Sequence, residues 1–131
     1  MELHNNAKGH RPPQLKILRT YAKLPDSTIA TALPPTVYFS HTQHTLTIFD
    51  AYPKAHFHFL VLPRLSSSSP SDSDLTDLRT LLRVPRRAHE TLRVLANETA
   101  RLRTVVEEEM RARYGFVWDV WVGFHAVPSM E

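Results

Sequence analysis

The side chains of this sequence that can do chemistry crowd into two short stretches. The first, FDAYPKAHFHFLVLPR at residues 49–64, sets a carboxylate (Asp50), an ammonium (Lys54) and two imidazoles (His56 and His58) around a turn between two apolar runs. Alternate residues of a strand share a face, so His56 and His58 are expected on one side and Phe57 and Phe59 on the other. Two imidazoles on one face can meet a single phosphate. They can equally lie at the sheet surface or bond to backbone, and Asp50 can be the acceptor of the turn that follows its strand. A metal is disfavoured, because two imidazoles without a third His or a nearby acid make a poor ligand set, and no metal and no cofactor is expected. The second stretch, GFHAVPSM at residues 123–130, runs a strand into a Pro-Ser turn. There Ser129 can donate to a phosphate oxygen and His125 can exchange a proton, or both can be capping or solvent-facing groups. No Gly-rich phosphate loop, zincin motif or nucleophile elbow is present, and three glycines leave little room for one.

Those residues need elements to hold them. From Pro13 the apolar positions Leu15, Leu18, Tyr21 and Ala22 recur at helical spacing up to Pro25, which predicts a short helix. Residues 26–35, with two consecutive prolines, read as an irregular crossing. Val37 to Phe39, Thr45 to Phe49 and Phe57 to Leu62 are rich in aromatic and β-branched residues and predict a three-stranded meander. The serine-rich run after Leu65 reads as a surface loop leading to a helix outlined by Leu75, Leu78, Leu81 and Leu82. Pro85 interrupts it, and Leu92, Leu95, Leu102, Val105, Val106 and Met110 then mark the apolar face of a long second helix that Gly115 ends. Its other face carries Arg93, Arg101, Glu108 and Arg111, a solvated face rather than a DNA-binding ridge, with Glu107 and Glu109 each four residues before an arginine. Strict alternation of Phe116, Trp118, Val120, Val122 and Phe124 predicts a fourth strand with one buried face. The sum is an α+β domain with an antiparallel sheet.

Length and composition bound the rest. The 131 residues suit one domain over residues 13–131 behind a flexible tail at residues 1–12. A hydrophobic content of 42% with 22% charged residues indicates neither global disorder nor a membrane protein, and no run reaches a membrane span's length. Net charge is only +3, with 12 of the 16 basic residues Arg, which is compatible with nucleic acid without establishing it. The absence of Cys rules out disulfides and thiolate zinc sites in this sequence. An intracellular protein is expected, since the polar start has no secretory signal.

Taken together and in this order, FDAYPKAHFHFLVLPR and GFHAVPSM resemble the landmarks of the aprataxin branch of the histidine-triad superfamily, with looser similarity in LKILRTYAKLPDS, over residues 13–130. The resemblance implies an α+β fold, an antiparallel sheet of about five strands with helices packed against it. It implies hydrolysis of adenylate from 5′ DNA ends in the nucleus, without a metal, with AMP or an adenylated 5′ end as ligand and nicked DNA as partner. Carried over by motif position, Asp50 resembles the acid that bonds the ribose hydroxyls. Lys54 is the lysine of the YPKA turn near the phosphate, and His58 the histidine that braces the loop. His125 resembles the residue facing the leaving group, and Ser129 the phosphate-contacting serine.

In that family the PSM turn leads into a strand reading His-x-His-x-His, whose middle imidazole attacks phosphorus and is transiently adenylylated. This sequence reads instead to Met130 and Glu131, so a C-terminally incomplete domain, inactive as it stands, is expected. His56 and His58 spell His-x-His on the wrong strand. The triad strand would pair with residues 117–124, and its loss is expected to expose an apolar edge. The alternatives are a non-catalytic nucleotide or nucleic-acid binding module, or a small α+β protein in an interaction role.

Overall fold

A computed structural model describes residues 13–65 and 78–124. The N-terminal tail, the serine-rich loop with Leu75, and both His125 and Ser129 lie outside the described residues. Seven elements follow in order: α1 (Pro13–Ala22), α2 (Ile29–Ala32), β1 (Tyr38–His41), β2 (Thr45–Phe49), β3 (Phe59–Pro63), α3 (Leu78–Leu81) and α4 (Pro85–Tyr114). The strands pair antiparallel in the order β1-β2-β3, the meander read from the sequence. The β2–β3 ladder is regular from Thr45↔Pro63 to Phe49↔Phe59, whereas β1 slips register between Tyr38 and Ser40. The crossing expected over residues 26–35 contains the single helical turn α2, which Ile29 and Leu33 anchor in the core.

Period-two alternation gives the sheet two covered faces. On one, Leu46 and Ile48, with Tyr38, Leu60 and Leu62, pack against Ile29 and Leu33 and against Leu18 and Tyr21 of α1. On the other, Phe39, Phe59 and Val61 pack against Leu102, Val106 and Met110 of α4. At the end of that second face three rings close together, with Phe39 in edge contact with Phe49 and Phe59 at centroid distances of 5.5 and 4.8 Å.

The long helix forms where the sequence places it. Val84 is extended, as a residue before proline prefers, and Pro85 opens α4 where its missing N–H costs nothing. Gly115 closes the helix in the left-handed conformation, φ 80°, donating its N–H to Arg111 O. The buried stripe runs Ala88, Thr91, Leu95, Glu98, Leu102, Val106 and Met110. Leu92 and Val105 flank it, half-buried, and Glu98 takes a place in it by pairing with Arg101 at 2.5 Å. Of the expected ion pairs, Arg113 donates to Glu109 at 2.6 Å, while Glu107 pairs with Arg103 at 3.6 Å instead of Arg111. No described helix is long and apolar enough to cross a membrane.

One expectation is met in part and one needs correction. Among the described residues the sheet is antiparallel as expected and shows three strands. Residues 117–124 form no strand. An extended segment becomes a strand only when a neighbour bonds its N–H and C=O groups, and β1, β2 and β3 pair only with each other. The alternation there does not bury one face: Val117, Trp118 and Val120 pack against the α4 cluster, but Phe116 is 61% exposed and Val122 and Phe124 nearly as much.

Candidate functional site: the loop between β2 and β3

The ladder between β2 and β3 continues one bond past Phe49, with Asp50 N–H donating to His58 O at 3.0 Å. Residues 51–57 therefore leave and rejoin the sheet at neighbouring points. Inside the loop Asp50 Oδ1 accepts from Tyr52 N–H at 2.7 Å, the Asx-type turn that a carboxylate at a strand end favours. Asp50 Oδ2 lies 3.3 Å from His58 Nε2, and Lys54 N–H donates to His58 Nδ1 at 3.0 Å. Since Nδ1 accepts, the neutral imidazole carries its hydrogen on Nε2, the nitrogen nearer Asp50 Oδ2; this tautomer follows from the bonding network. His58 is thus a strut, tying the acid at the loop's start to the backbone of Lys54. Asp50 serves as turn acceptor and is fixed in orientation as well. A carboxylate offers about four lone-pair sites, so these two bonds leave capacity for a ligand hydroxyl.

The two imidazoles do not converge, which corrects the expectation that His56 and His58 share a face. β3 begins at Phe59, later than Phe57, so strand alternation does not govern these positions. Phe57 and Phe59 do share a side, packing toward α4, but His56 joins them there, 5.9 Å from the Tyr114 ring and 6.2 Å from Trp118. The Arg113 guanidinium sits over Phe57 at 5.9 Å. The hydrogen bond to Glu109, followed by its charge, holds the pKa of Arg113 above its ordinary value. The Lys54 side chain is exposed, and His125 and Ser129 lie outside the described residues.

Among the described residues no group of three or more His, Asp or Glu side chains is arranged to hold a metal ion. The arrangement present can grip a polyhydroxyl ligand through a fixed carboxylate beside an exposed lysine.

One residue of the first motif went unnoticed in the sequence. Arg64, directly after β3, is buried and donates to Asp26, to Thr42 O at 2.9 Å and to Leu24 O at 2.8 Å. It locks the α1–α2 connection to the β1–β2 turn. A charged residue closing an apolar LVLP run was the available signal.

Residues 23–131, most of the chain, match the family described as scavenger mRNA decapping enzyme C-term binding. The chain belongs to that family. Membership carries a relation to the histidine-triad superfamily, and with it a nucleotide-binding, hydrolase-like domain, in keeping with the α+β sheet and the carboxylate loop. It does not single out the aprataxin branch. No curated protein and no solved structure matches the chain.

Proposed function

We propose that this member of the decapping-enzyme C-terminal family recognises a nucleoside monophosphate joined through its phosphate to a 5′ nucleic-acid end, and specifically an adenylate on 5′ DNA. The observation that carries it is the Asp50 carboxylate, held by Tyr52 N–H and His58 with acceptor capacity left for ribose hydroxyls. Lys54 on the same loop would neutralise the phosphate, with Ser129 contacting it and His125 on the leaving-group side. The choice of adenylated DNA rests on YPKA, LVLP and GFHAVPSM, and such a substrate places the work in the nucleus. Hydrolysis would break the bond between phosphorus and the DNA phosphate oxygen and release AMP. It needs a histidine nucleophile of the His-x-His-x-His kind, a motif that does not occur in these 131 residues. Binding is the part of that activity that the Asp50 loop supports. The family description favours a second reading, a capped RNA end, whose nucleotide is also joined through phosphate.

Calorimetric titration with AMP and with a cap dinucleotide separates these. AMP should bind, and Asp50→Asn should weaken it about tenfold or more, the loss expected for a hydrogen bond to a charged acceptor. Preference for the cap dinucleotide would favour the second reading, and no binding of either would sink both. A chain extended by a His-x-His-x-His strand should release AMP from 5′-adenylated nicked DNA, while the chain of 131 residues should not. Release by the latter would return attention to His56 and His58.

A further inference from the structure

The loop that carries Asp50 runs, through His56, into a cluster of rings at the end of α4. His56, Tyr114 and Trp118 form a triangle, with centroids 5.9 Å apart for His56–Tyr114, 6.2 Å for His56–Trp118 and 5.4 Å for Tyr114–Trp118. Phe116 adds a fourth ring 5.5 Å from Trp118. Trp118 is half-buried and also meets Phe57 at 6.0 Å. The other three rings reach solvent: Phe116 is 61% exposed, Tyr114 42%, and His56 is exposed as well. Every pair among the four is tilted, by 48° to 59°, so none is stacked face to face. Rings this close touch one another, so a planar ligand cannot slide between them and must lie on an outer face. Single exposed rings are ordinary, whereas several in mutual contact mark a binding surface.

We propose that this cluster stacks an unpaired base next to the 5′ end of the strand whose terminal nucleotide sits at the Asp50 loop, so that the site takes a nucleic-acid strand in preference to free AMP. Phe, Tyr, Trp and His rings, with Arg planes, are the groups on which unpaired bases stack. An Arg plane is present too, since Arg113, its side chain 61% exposed, lies over Phe57. Position points to the same occupant. His56 is two residues from Lys54 and two from His58, whose Nε2 lies 3.3 Å from Asp50 Oδ2. At most about 7 Å of chain separates the cluster from that contact, roughly what one or two stacked nucleotides cover. Lys54 and Arg113 border the rings with positive charge suited to a phosphate backbone; of the nearby acids, Glu109 is paired with Arg113 and Asp119 is exposed. The register of the strand rests on the reading of the Asp50 loop given above.

The test is fluorescence anisotropy with a 5′-adenylated single-stranded oligonucleotide labelled at its 3′ end, beside versions made abasic at the two nucleotides following the adenylate or at the two farthest from it. Each is titrated with the wild type, Phe116→Ala, Tyr114→Ala, Asp50→Asn and, as an exposed ring outside the cluster, Trp121→Ala; a retained amide spectrum establishes that each variant folds. The wild type should lose about tenfold in affinity when the near bases are removed and nothing when the far ones are. Phe116→Ala and Tyr114→Ala should lose about tenfold with the intact strand and no more with the near-abasic one, because base and ring are two halves of one contact. Trp121→Ala should match the wild type. Additive losses, an equal effect of the far bases, an equal loss in Trp121→Ala or no binding of the oligonucleotide overturns the proposal. So does a matching loss of AMP affinity in Phe116→Ala, which would give the rings to the adenylate's own base, or a wild-type dimer that Phe116→Ala dissociates, which would give them to a second copy. Asp50→Asn should weaken binding of every strand and keep the dependence on the near bases. Coupling between rings and bases with no effect of Asp50→Asn sinks the reading of the Asp50 loop and leaves the stacking, and the reverse sinks the stacking alone.

Discussion

Arg64 shows how one side chain can organise a domain of this size. Its guanidinium reaches the α1–α2 connection and the β1–β2 turn at once, which a single ammonium cannot do in the same fork geometry. Arg64→Met should therefore cost about 3 kcal/mol of unfolding free energy in a urea titration, and Arg64→Lys should recover little of it. Asp26 supplies the countercharge. The hydrogen bond from Arg64, then the attraction of its charge, holds the Asp26 carboxyl below its ordinary 3.8. A depressed folded-state value means that this stabilisation is complete above pH 3.8 and is lost as pH falls through the lower folded value. Urea midpoints measured down the acid limb should accordingly fall less steeply in Asp26→Asn than in the wild type. An unchanged slope would show that Asp26 has no part in it.

Among the elements, α4 carries half of the packing logic. Its 30 residues extend about 45 Å, and its Leu102, Val106 and Met110 cover the face made by Phe39, Phe59 and Val61. Met110 is almost fully buried, so Met110→Ala should destabilise by about 3 kcal/mol through lost contact and a residual cavity. Gly115 presents a different case. A Cβ there would meet nothing within 4 Å, so Gly115→Ala should cost about 1 kcal/mol purely through the left-handed φ. Thermal unfolding of both variants separates a packing term from a conformational one at the same helix end.

At the scale of the molecule, two covered sheet faces contrast with four exposed apolar side chains after Gly115. Trp121 is 93% exposed, with Phe116, Val122 and Phe124 beside it in sequence. Exposed apolar side chains promote association when they form one patch. The chain should bind a hydrophobic dye such as ANS in its native state, and the double variant Trp121→Ser/Phe124→Ser should bind less and remain monomeric to higher concentration in sedimentation. Equal dye binding would place the exposed apolar surface elsewhere.

What could be read from residues alone was what depends on near neighbours. Proline at the start and glycine at the end delimited α4, and the β-branched and aromatic runs delimited β2 to the residue, because caps, turns and side-chain periodicity are local. The motif around Asp50 was visible for the same reason, as an acid beside a turn. Tertiary structure alone decided the rest. His56 and His58 separate because the chain leaves the strand before it reaches them, so one imidazole is claimed by the rings at the end of α4 and the other by Asp50. Glu98 and the terminal nitrogens of Arg64 are buried, against their composition, because partners distant or on the next turn satisfy them. The alternating segment 116–124 looks like a strand in sequence yet is not one here, because pairing belongs to two segments and the pattern of one cannot supply the other.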